Sequence, residues 1–298
     1  ASKAGADAGP ADNAVRLALT VTDAVQREIS LAAPARRIVA LAPHAVENLF
    51  SAGAGEFVVG AVEYSDYPAA ARAIPRVGGY KSWNLELIAS LQPDLIVAWS
   101  SGNRAHRLEA LRALSIPVYL SEPRNLEDIP EAIRDFGVLA GTREVSEVRA
   151  ARFEATLASL RAEFSSNRRK TLFYQVWNDP LQTLNGEHLI SSVFSLCGGQ
   201  NVFADLPMLA PRVSVESVLA FDPEVIVASG MGDARPDWLD DWLRFPELAA
   251  VANNALLFVD PDLIQRPTAR LLQGARDLCE KMRFLDRRTT TVPSNPAQ

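Results

Sequence analysis

Hydrophobic and polar positions follow the same pattern in two distant parts of the chain. Residues 85–99 read LELIASLQPDLIVAW and residues 215–229 read VESVLAFDPEVIVAS, so the second copy begins 130 positions after the first. In each copy, helically spaced apolar residues end at a proline, and a short aliphatic run follows. This pattern predicts a helix, a tight turn and a parallel strand buried on both faces. A unit that recurs at this distance indicates two similar lobes, with a cleft between them.

The predicted helix of each copy carries a glutamate near its start. Asn84 and Ser214 stand at the N-cap positions, which places Glu86 and Glu216 at the second helical position. A carboxylate there is favoured by the helix dipole, so charge compensation on a solvated helix end is one interpretation. Contact with a partner is the other, because equivalent glutamates on two lobes suit a partner that is itself symmetric.

Aliphatic strands alternate with helical segments along the rest of the chain. The first part predicts two strands around a turn at Thr22-Asp23, and then a strand that leads into a helix within residues 35–54. Further strands are predicted at FVVGAV, LIVAW and PVYLS, and for a second lobe at TLFYQVW, EVIVAS and ALLFVD. The alternation predicts an α/β protein with parallel sheets, in which ligands bind at the carboxyl ends of the strands.

A long helical stretch separates the two groups of strands. Residues 126–164 have a helical pattern that is broken near Gly141-Thr142. At about 1.5 Å per residue, the second part spans roughly 30 Å, which is enough to cross from one lobe to the other. The predicted organisation is a flexible N-terminus (1–14), an N-terminal lobe (15–124), a helical connector (125–166), a C-terminal lobe (167–286) and a flexible tail (287–298).

Composition and charge exclude several classes of protein. The 298 residues are 48% hydrophobic, yet no apolar run approaches the ~18 residues of a membrane span. The formal net charge of −6 argues against nucleic acid or an anionic membrane as the partner. The polar start ASKAGADAGPADNA is typical of a mature exported chain from which a signal peptide has been removed.

Two cysteines, Cys197 and Cys279, lie in the second half of the chain. No CxxC motif is present and no histidine lies near them in sequence, which leaves a disulfide or two buried thiols. The residues alone do not decide between these alternatives. A disulfide would indicate export to an oxidising compartment.

Several segments resemble the BtuF-like periplasmic cobalamin-binding proteins, which are the substrate-binding components of ABC importers. The segments are RRIVALAPHAVENLF, EYSDYP, the doubled PDLIVAW motif, SGN at 101–103, LCGGQNVF at 196–203 and the final Cys279. The resemblance runs from about Val15 to Phe284 and implies a class III binding protein, with two Rossmann-like lobes on a long backbone helix. It implies a monomer in the periplasm that captures cobalamin or a related corrinoid, has no cofactor of its own, and carries a disulfide between Cys197 and Cys279.

The resemblance also implies which side chains of the first lobe hold the ligand. A corrin is a large flat ring edged with amides, so its site needs aromatic faces and a few polar groups at the rim. Tyr64 and Trp99 match ligand-contacting aromatic positions of the family, and Tyr80 stands where the family often has tryptophan. Packing in the hydrophobic core is the alternative for each of these rings.

In the second lobe, Trp177, Asp262 and Arg266 follow predicted strands. The last two match family positions that hydrogen-bond the corrin rim, and Arg266 also suits the phosphate of the nucleotide loop. A local surface ion pair between them is the alternative. The stretch MLA at 208–210 stands where the best-known family member has a tryptophan, so the stacking partner in this lobe stays open.

Two more roles complete the predicted site. His44 follows a strand directly and is expected to cap a helix and edge the pocket. The family docks on a dimeric permease through acidic residues of both lobes, and the resemblance gives this role to Glu86 and Glu216. Each glutamate would then meet a basic residue of one permease subunit.

Three rival functions are weighed against this prediction. A receptor for zinc or manganese would need its ligands among His44, His106 and His188, whose spacing does not support a metal site. A haem or iron-siderophore receptor on the same fold is the main alternative, with His44 or Tyr64 as iron ligand. For an enzyme, no GxSxG elbow, phosphate loop or HExxH motif is present.

Overall fold

A computed structural model describes residues 18–79, 82–230 and 235–289, without the side chains of 287–289. The predicted flexible N-terminus and most of the predicted tail lie outside the described residues. So does Tyr80, one of the predicted aromatic ligand contacts.

The chain begins with an antiparallel hairpin of β1 (Leu19–Thr22) and β2 (Glu28–Leu31), which confirms the two strands predicted around a turn. A six-stranded sheet follows, formed by β3 (Ile38–Ala40), β4 (Val58–Val62), β5 (Arg76–Gly79), β6 (Ser82–Trp83), β7 (Leu95–Trp99) and β8 (Val118–Ser121). Its order is β6-β5-β4-β3-β7-β8, with β6 antiparallel at the edge and all other pairs parallel.

Helices cover this sheet and connect its strands. They are α1 (Pro43–Ser51), α2 (Leu85–Ser90), α3 (Ala105–Arg112) and two 3-10 helices (Gly55–Phe57 and Ala69–Ala73). The first strand and helix of the predicted βα alternation are thus β3 and α1.

The second lobe has a four-stranded parallel sheet, in the order β10-β9-β11-β12, built from β9 (Lys170–Gln175), β10 (Gly199–Asn201), β11 (Val225–Ala228) and β12 (Leu256–Phe258). Its helices are α6 (Leu189–Leu196), α7 (Val215–Phe221), the 3-10 helix Asp237–Arg244, α8 (Ala249–Ala252), α9 (Pro261–Ile264) and α10 (Leu271–Thr289). The parallel strand pairs that form most of both sheets confirm the predicted fold class. The last helix ends at Thr289, so its final three residues lie in the segment that the sequence predicted as a flexible tail.

Two helices lie between the sheets, α4 (Asp128–Ala140) and α5 (Arg143–Phe164). The first packs against α1 and β1 of the N-terminal lobe. The second contacts α1 on one side and α6 and α10 on the other, and its 22 residues make it about 33 Å long. Gly141 separates the two helices in the left-handed conformation that glycine adopts readily, with φ of 69°.

The repeated unit has the same local structure in both lobes. The Oδ1 atom of Asn84 accepts a hydrogen bond from the backbone N–H of Leu87 at 2.9 Å, and Ser214 caps α7 in the same way. Glu86 and Glu216 therefore occupy the second position of their helices, as predicted. The strands that follow, β7 and β11, are buried inside their sheets.

The disulfide implied by the family resemblance is present. Cys197 follows the last residue of α6 and Cys279 lies in α10, with their sulfur atoms 2.00 Å apart. The bond ties the last helix to the second lobe across 82 positions of sequence. Among the helices that the structure describes, none is long and apolar enough to cross a membrane.

Candidate functional site

The residues predicted to hold a ligand follow the carboxyl ends of strands in both lobes. His44 comes after β3, Tyr64 after β4 and Trp99 at the end of β7. In the second lobe, Trp177 follows β9 and Asp262 follows β12. Because the carboxyl ends of parallel strands lie at one edge of a sheet, each lobe presents its residues along a single edge.

His44 is buried at the second position of α1, and its role differs from the predicted one. Its Nε2 atom lies 3.3 Å from the hydroxyl of Ser121, at the end of β8. The N-cap residue of α1 is Ala42, and no side chain caps that helix, so the prediction that His44 caps it is wrong. The ring turns into the lobe instead, where burial and then the charge of Arg266 lower its pKa to about 4. His44 is therefore neutral at physiological pH.

The indole of Trp99 is held in place from two sides. Its ring meets the imidazole of His44 edge-on, with the centroids 5.3 Å apart, and it packs partly against the core. A Cβ atom at Gly102 would lie 1.9 Å from the indole, so the loop can cover this ring only with a glycine at that position. Core packing and ligand contact are thus compatible for Trp99, because the ring is only half-buried.

Tyr64 stands out from the loop that follows β4. Its side chain is 71% exposed, and its backbone has a φ of 63°. A bulky residue in this left-handed region is uncommon and strained, and such strain concentrates at sites that bind ligands. Core packing is excluded for Tyr64 by its exposure.

Trp177 is the exposed aromatic residue of the second lobe's predicted site. Its indole N–H donates to the carbonyl oxygen of Asp179 at 2.9 Å, which orients the ring. Gln182 forms a β-bridge with Trp177, and its side chain donates to the carbonyl of Ala210 in the neighbouring loop at 3.0 Å. Met208 lies exposed in that loop, at the stretch where the sequence left the stacking partner open.

Arg266 makes an ion pair with Asp262 at 2.9 Å, the pair that the sequence analysis gave as the alternative to ligand binding. It also reaches the N-terminal lobe, where its Nη1 atom lies 3.1 Å from Glu47 and 2.9 Å from Asp66. The interaction is therefore an ion-pair cluster between the lobes rather than a local surface pair.

Arg270 of the C-terminal lobe also binds the carboxylate of Glu47. Its Nε and Nη2 atoms donate to the two oxygens of Glu47 at 2.9 and 2.7 Å, and its guanidinium lies 3.9 Å from the ring centre of Tyr67. Beside this pair, the side-chain amide of Asn48 donates to the carbonyl of Pro267 at 3.0 Å. These contacts join α1 to the segment between α9 and α10.

The sequence analysis missed Glu47, Asn48 and Arg270 as functional residues. One signal for them is present, because Glu47 and Asn48 follow His44 by three and four positions on a helix. Residues at this spacing share a helix face, and this face is buried. Three polar residues on a buried face indicate partners outside the helix. The identity of those partners is not encoded locally.

Glu86 and Glu216 are exposed in the first turns of α2 and α7. Each helix runs into a parallel strand through a short turn, so its first turn lies near the carboxyl edge of its sheet. The pKa of Glu216 is lowered by hydrogen bonds from its own backbone N–H and from Ser214. Both helix starts thus present a negative charge to solvent.

The histidines are in separate environments. His106 is exposed at the start of α3, whereas His188 caps α6, with its Nδ1 atom accepting from the backbone N–H of Ile190 at 3.2 Å. Across residues 18–79, 82–230 and 235–289, no group of three histidine, cysteine, aspartate or glutamate side chains could hold a metal ion.

Comparison with known proteins gives consistent matches over most of the chain. The sequence profile of the periplasmic binding protein family matches residues 38–263. The vitamin B12-binding protein of Vibrio cholerae serotype O1 is 38% identical over 251 residues, which cover 84% of this chain and 90% of that protein.

Solved structures agree with these sequence matches. The crystal structure of the periplasmic vitamin B12 binding protein BtuF of Vibrio cholerae superposes with a TM-score of 0.79 and 37% identity, covering 85% of this chain and 99% of that one. A periplasmic haem-binding protein from Roseiflexus sp. RS-1 superposes with a TM-score of 0.74 at 23% identity, over 84% of this chain and 98% of that one. At that identity, the second likeness concerns the fold alone.

Proposed function

The chain belongs to the periplasmic binding protein family, and on that premise we propose that it captures cobalamin or a related corrinoid in the cleft between its lobes. The observation that carries the proposal is the set of aromatic and charged residues at the facing strand ends, in a chain 38% identical to a vitamin B12-binding protein. The corrinoid is the cargo and not a cofactor. The protein acts by binding alone, without catalysis.

The site's chemistry fits a corrin. The rings of Tyr64, Trp99 and Trp177 supply aromatic faces for a flat polarizable macrocycle. Asp262 and Arg266 supply an acceptor and a forked donor for the amides at the rim, and Arg266 also suits a phosphate. The neutral imidazole of His44 supports the Trp99 ring from within the lobe.

Delivery to an importer completes the proposed function. Glu86 and Glu216 would each dock on one subunit of a dimeric permease of an ABC importer, since they occupy equivalent places in the two lobes. We place the protein in the periplasm as a monomer. The disulfide between Cys197 and Cys279 suits that oxidising compartment.

A titration with two ligands tests the proposal. Calorimetry and absorbance spectra with cyanocobalamin are expected to show saturation near one equivalent per chain. Hemin titrated under the same conditions is expected to bind weakly. If cyanocobalamin at micromolar concentration gives no heat or spectral change and hemin binds tightly, then haem rather than a corrinoid is the ligand.

Haem is the second candidate because Tyr64, which follows β4 at the carboxyl edge of its sheet, has an exposed phenol that could ligate iron. A Tyr64→Phe variant separates the two candidates, since it keeps the aromatic face and removes only the oxygen. Loss of the hemin spectrum in this variant would support haem. Unchanged affinity for cyanocobalamin would support the corrinoid.

A further inference from the structure

Two arginines of the C-terminal lobe bind one carboxylate of the N-terminal lobe, Glu47. We infer that Arg270 holds the two lobes together whether or not a ligand is bound. Asp66 holds the side chain of Arg266 only until a ligand binds the Arg266 guanidinium. Asp66 thereby sets the affinity of the cleft by competing with the ligand. This inference rests on the proposed role of Arg266 in ligand binding.

The pair formed by Arg270 and Glu47 is built to remain closed. The Nε and Nη2 atoms of Arg270 donate to the two carboxylate oxygens of Glu47, at 2.9 and 2.7 Å. The side chain of Glu47 is only 3% exposed. Loss of Arg270 from this pair would leave Glu47 with a single arginine contact, and a buried carboxylate without adequate partners is strongly unfavourable. The ring of Tyr67 covers the guanidinium of Arg270 and restricts it further.

The backbone between the two arginines is also fixed. Asn48 donates to the carbonyl of Pro267, the residue directly after Arg266, at 3.0 Å. The side chain of Arg266 is consequently the part of this segment that can move without separating the lobes.

Arg266 is attached in a way that allows release. One nitrogen, Nη1, contacts both Glu47 and Asp66 of the N-terminal lobe, at 3.1 and 2.9 Å, while Nη2 pairs with the exposed Asp262 of its own lobe. When this nitrogen leaves, Glu47 keeps both of its bonds to Arg270. Asp66 has a side chain that is 46% exposed, so water can solvate its carboxylate. Release of Arg266 therefore leaves no buried charge without a partner.

Asp66 remains a charged competitor at neutral pH. Burial raises the pKa of this carboxyl, but the hydrogen bond and positive charge of Arg266 outweigh that effect, and the pKa lies below its ordinary value. A ligand that binds Arg266 must displace this ionised side chain or share the guanidinium with it.

The variant Asp66→Asn tests the inference because it removes the charge and keeps the size of the side chain. We expect the Kd for cyanocobalamin to fall about 3- to 10-fold, the usual effect of losing a partly exposed charged hydrogen bond, with faster association. The matched control is Glu56→Gln, which removes an exposed negative charge from the same lobe at a position with no contact to Arg266. The control should leave the Kd unchanged.

A double-mutant cycle ties the effect to Arg266. In the Arg266→Ala background, Asp66→Asn should no longer change the Kd, because the competition requires the guanidinium. If wild-type protein binds cyanocobalamin and Asp66→Asn binds equally or more weakly, the inference is overturned while the proposed function stands. If wild-type protein does not bind cyanocobalamin at all, the proposed function is overturned together with this inference.

Discussion

The imidazole of His44 meets the indole of Trp99 edge-on, with the ring planes at 85° and the centroids 5.3 Å apart. This contact joins the first turn of α1 to the end of β7, at the carboxyl edge of the sheet. A hydrogen bond between His44 and Ser121 extends the connection to β8. The proposed stacking face of Trp99 therefore depends on a buried ring that must stay uncharged.

The burial of His44 predicts a loss of stability in acid. Its folded-state pKa of about 4 lies below the model-peptide value of 6.5, so the unfolded chain takes up the proton first as the pH falls. The stability from the neutral ring is present above pH 6.5 and is lost between pH 6.5 and 4. Over this window His44 should remove roughly 3 kcal/mol from the unfolding free energy.

Denaturant titrations between pH 7 and 4 measure the unfolding free energy of wild type and of His44→Gln. The difference between the two proteins isolates His44, because other groups also titrate in this range. His188, with a pKa lowered to about 4 by burial, adds to the loss, whereas Asp135, with a pKa raised to about 6 by burial, opposes it. The exposed His106 supplies the control, His106→Gln. If the unfolding free energy changes equally with pH in wild type and in His44→Gln, the prediction is wrong.

Replacement of Tyr64 by alanine should weaken cyanocobalamin binding by about 1 to 3 kcal/mol without lowering the melting temperature. The exposed ring contributes little to the core, so its loss affects the ligand and not the fold. Phe221→Ala is the matched control, since this ring is 52% exposed at the end of α7, away from the carboxyl edge of its sheet. Calorimetric titration checks both variants. Equal affinities in the two would remove Tyr64 from the site.

Removal of the disulfide should destabilise the protein and leave the ligand site in place. The bond closes a loop of 82 positions, and the chain-entropy account gives about 4 to 5 kcal/mol for a loop of this length. We expect the Cys197→Ala, Cys279→Ala double variant to show a lower midpoint in denaturant at an unchanged Kd for cyanocobalamin. A midpoint equal to that of wild type would mean that α10 is held by packing alone.

The double variant Glu86→Ala, Glu216→Ala should bind cyanocobalamin and melt as wild type does, while transport in vesicles with a partner importer falls sharply. Exposed charges in a first helical turn contribute little to folding, whereas charges at an interface set association rate and its salt dependence. The control replaces two other exposed acidic residues in first turns, Glu144→Ala and Asp237→Ala. Normal transport by the first double variant at physiological salt would refute the docking role.

Much of the fold follows from local patterns that the sequence displays directly. The repeated unit, from the cap at Asn84 to the buried strand β7, depends on helix capping, on proline after the helix and on an aliphatic run, and all of these act within about fifteen neighbouring residues. The short edge strands β6 and β10 were not predicted, because two or three residues carry too little pattern. The disulfide was left open by the residues themselves and was implied only by family resemblance.

The ion-pair cluster was decided by the tertiary structure alone. Glu47 and Arg270 are 223 positions apart, and nothing near either residue specifies the other. They meet because α5 packs against α1 of one lobe and against α10 of the other. This packing brings the segment after α9 next to α1. Charged side chains have no periodicity that reveals a distant partner, whereas apolar residues reveal their buried face through helix and strand periods. The sequence by itself thus determined the lobes and their strand ends, while only the assembled chain determined that Arg266 and Arg270 of one lobe meet Glu47 of the other.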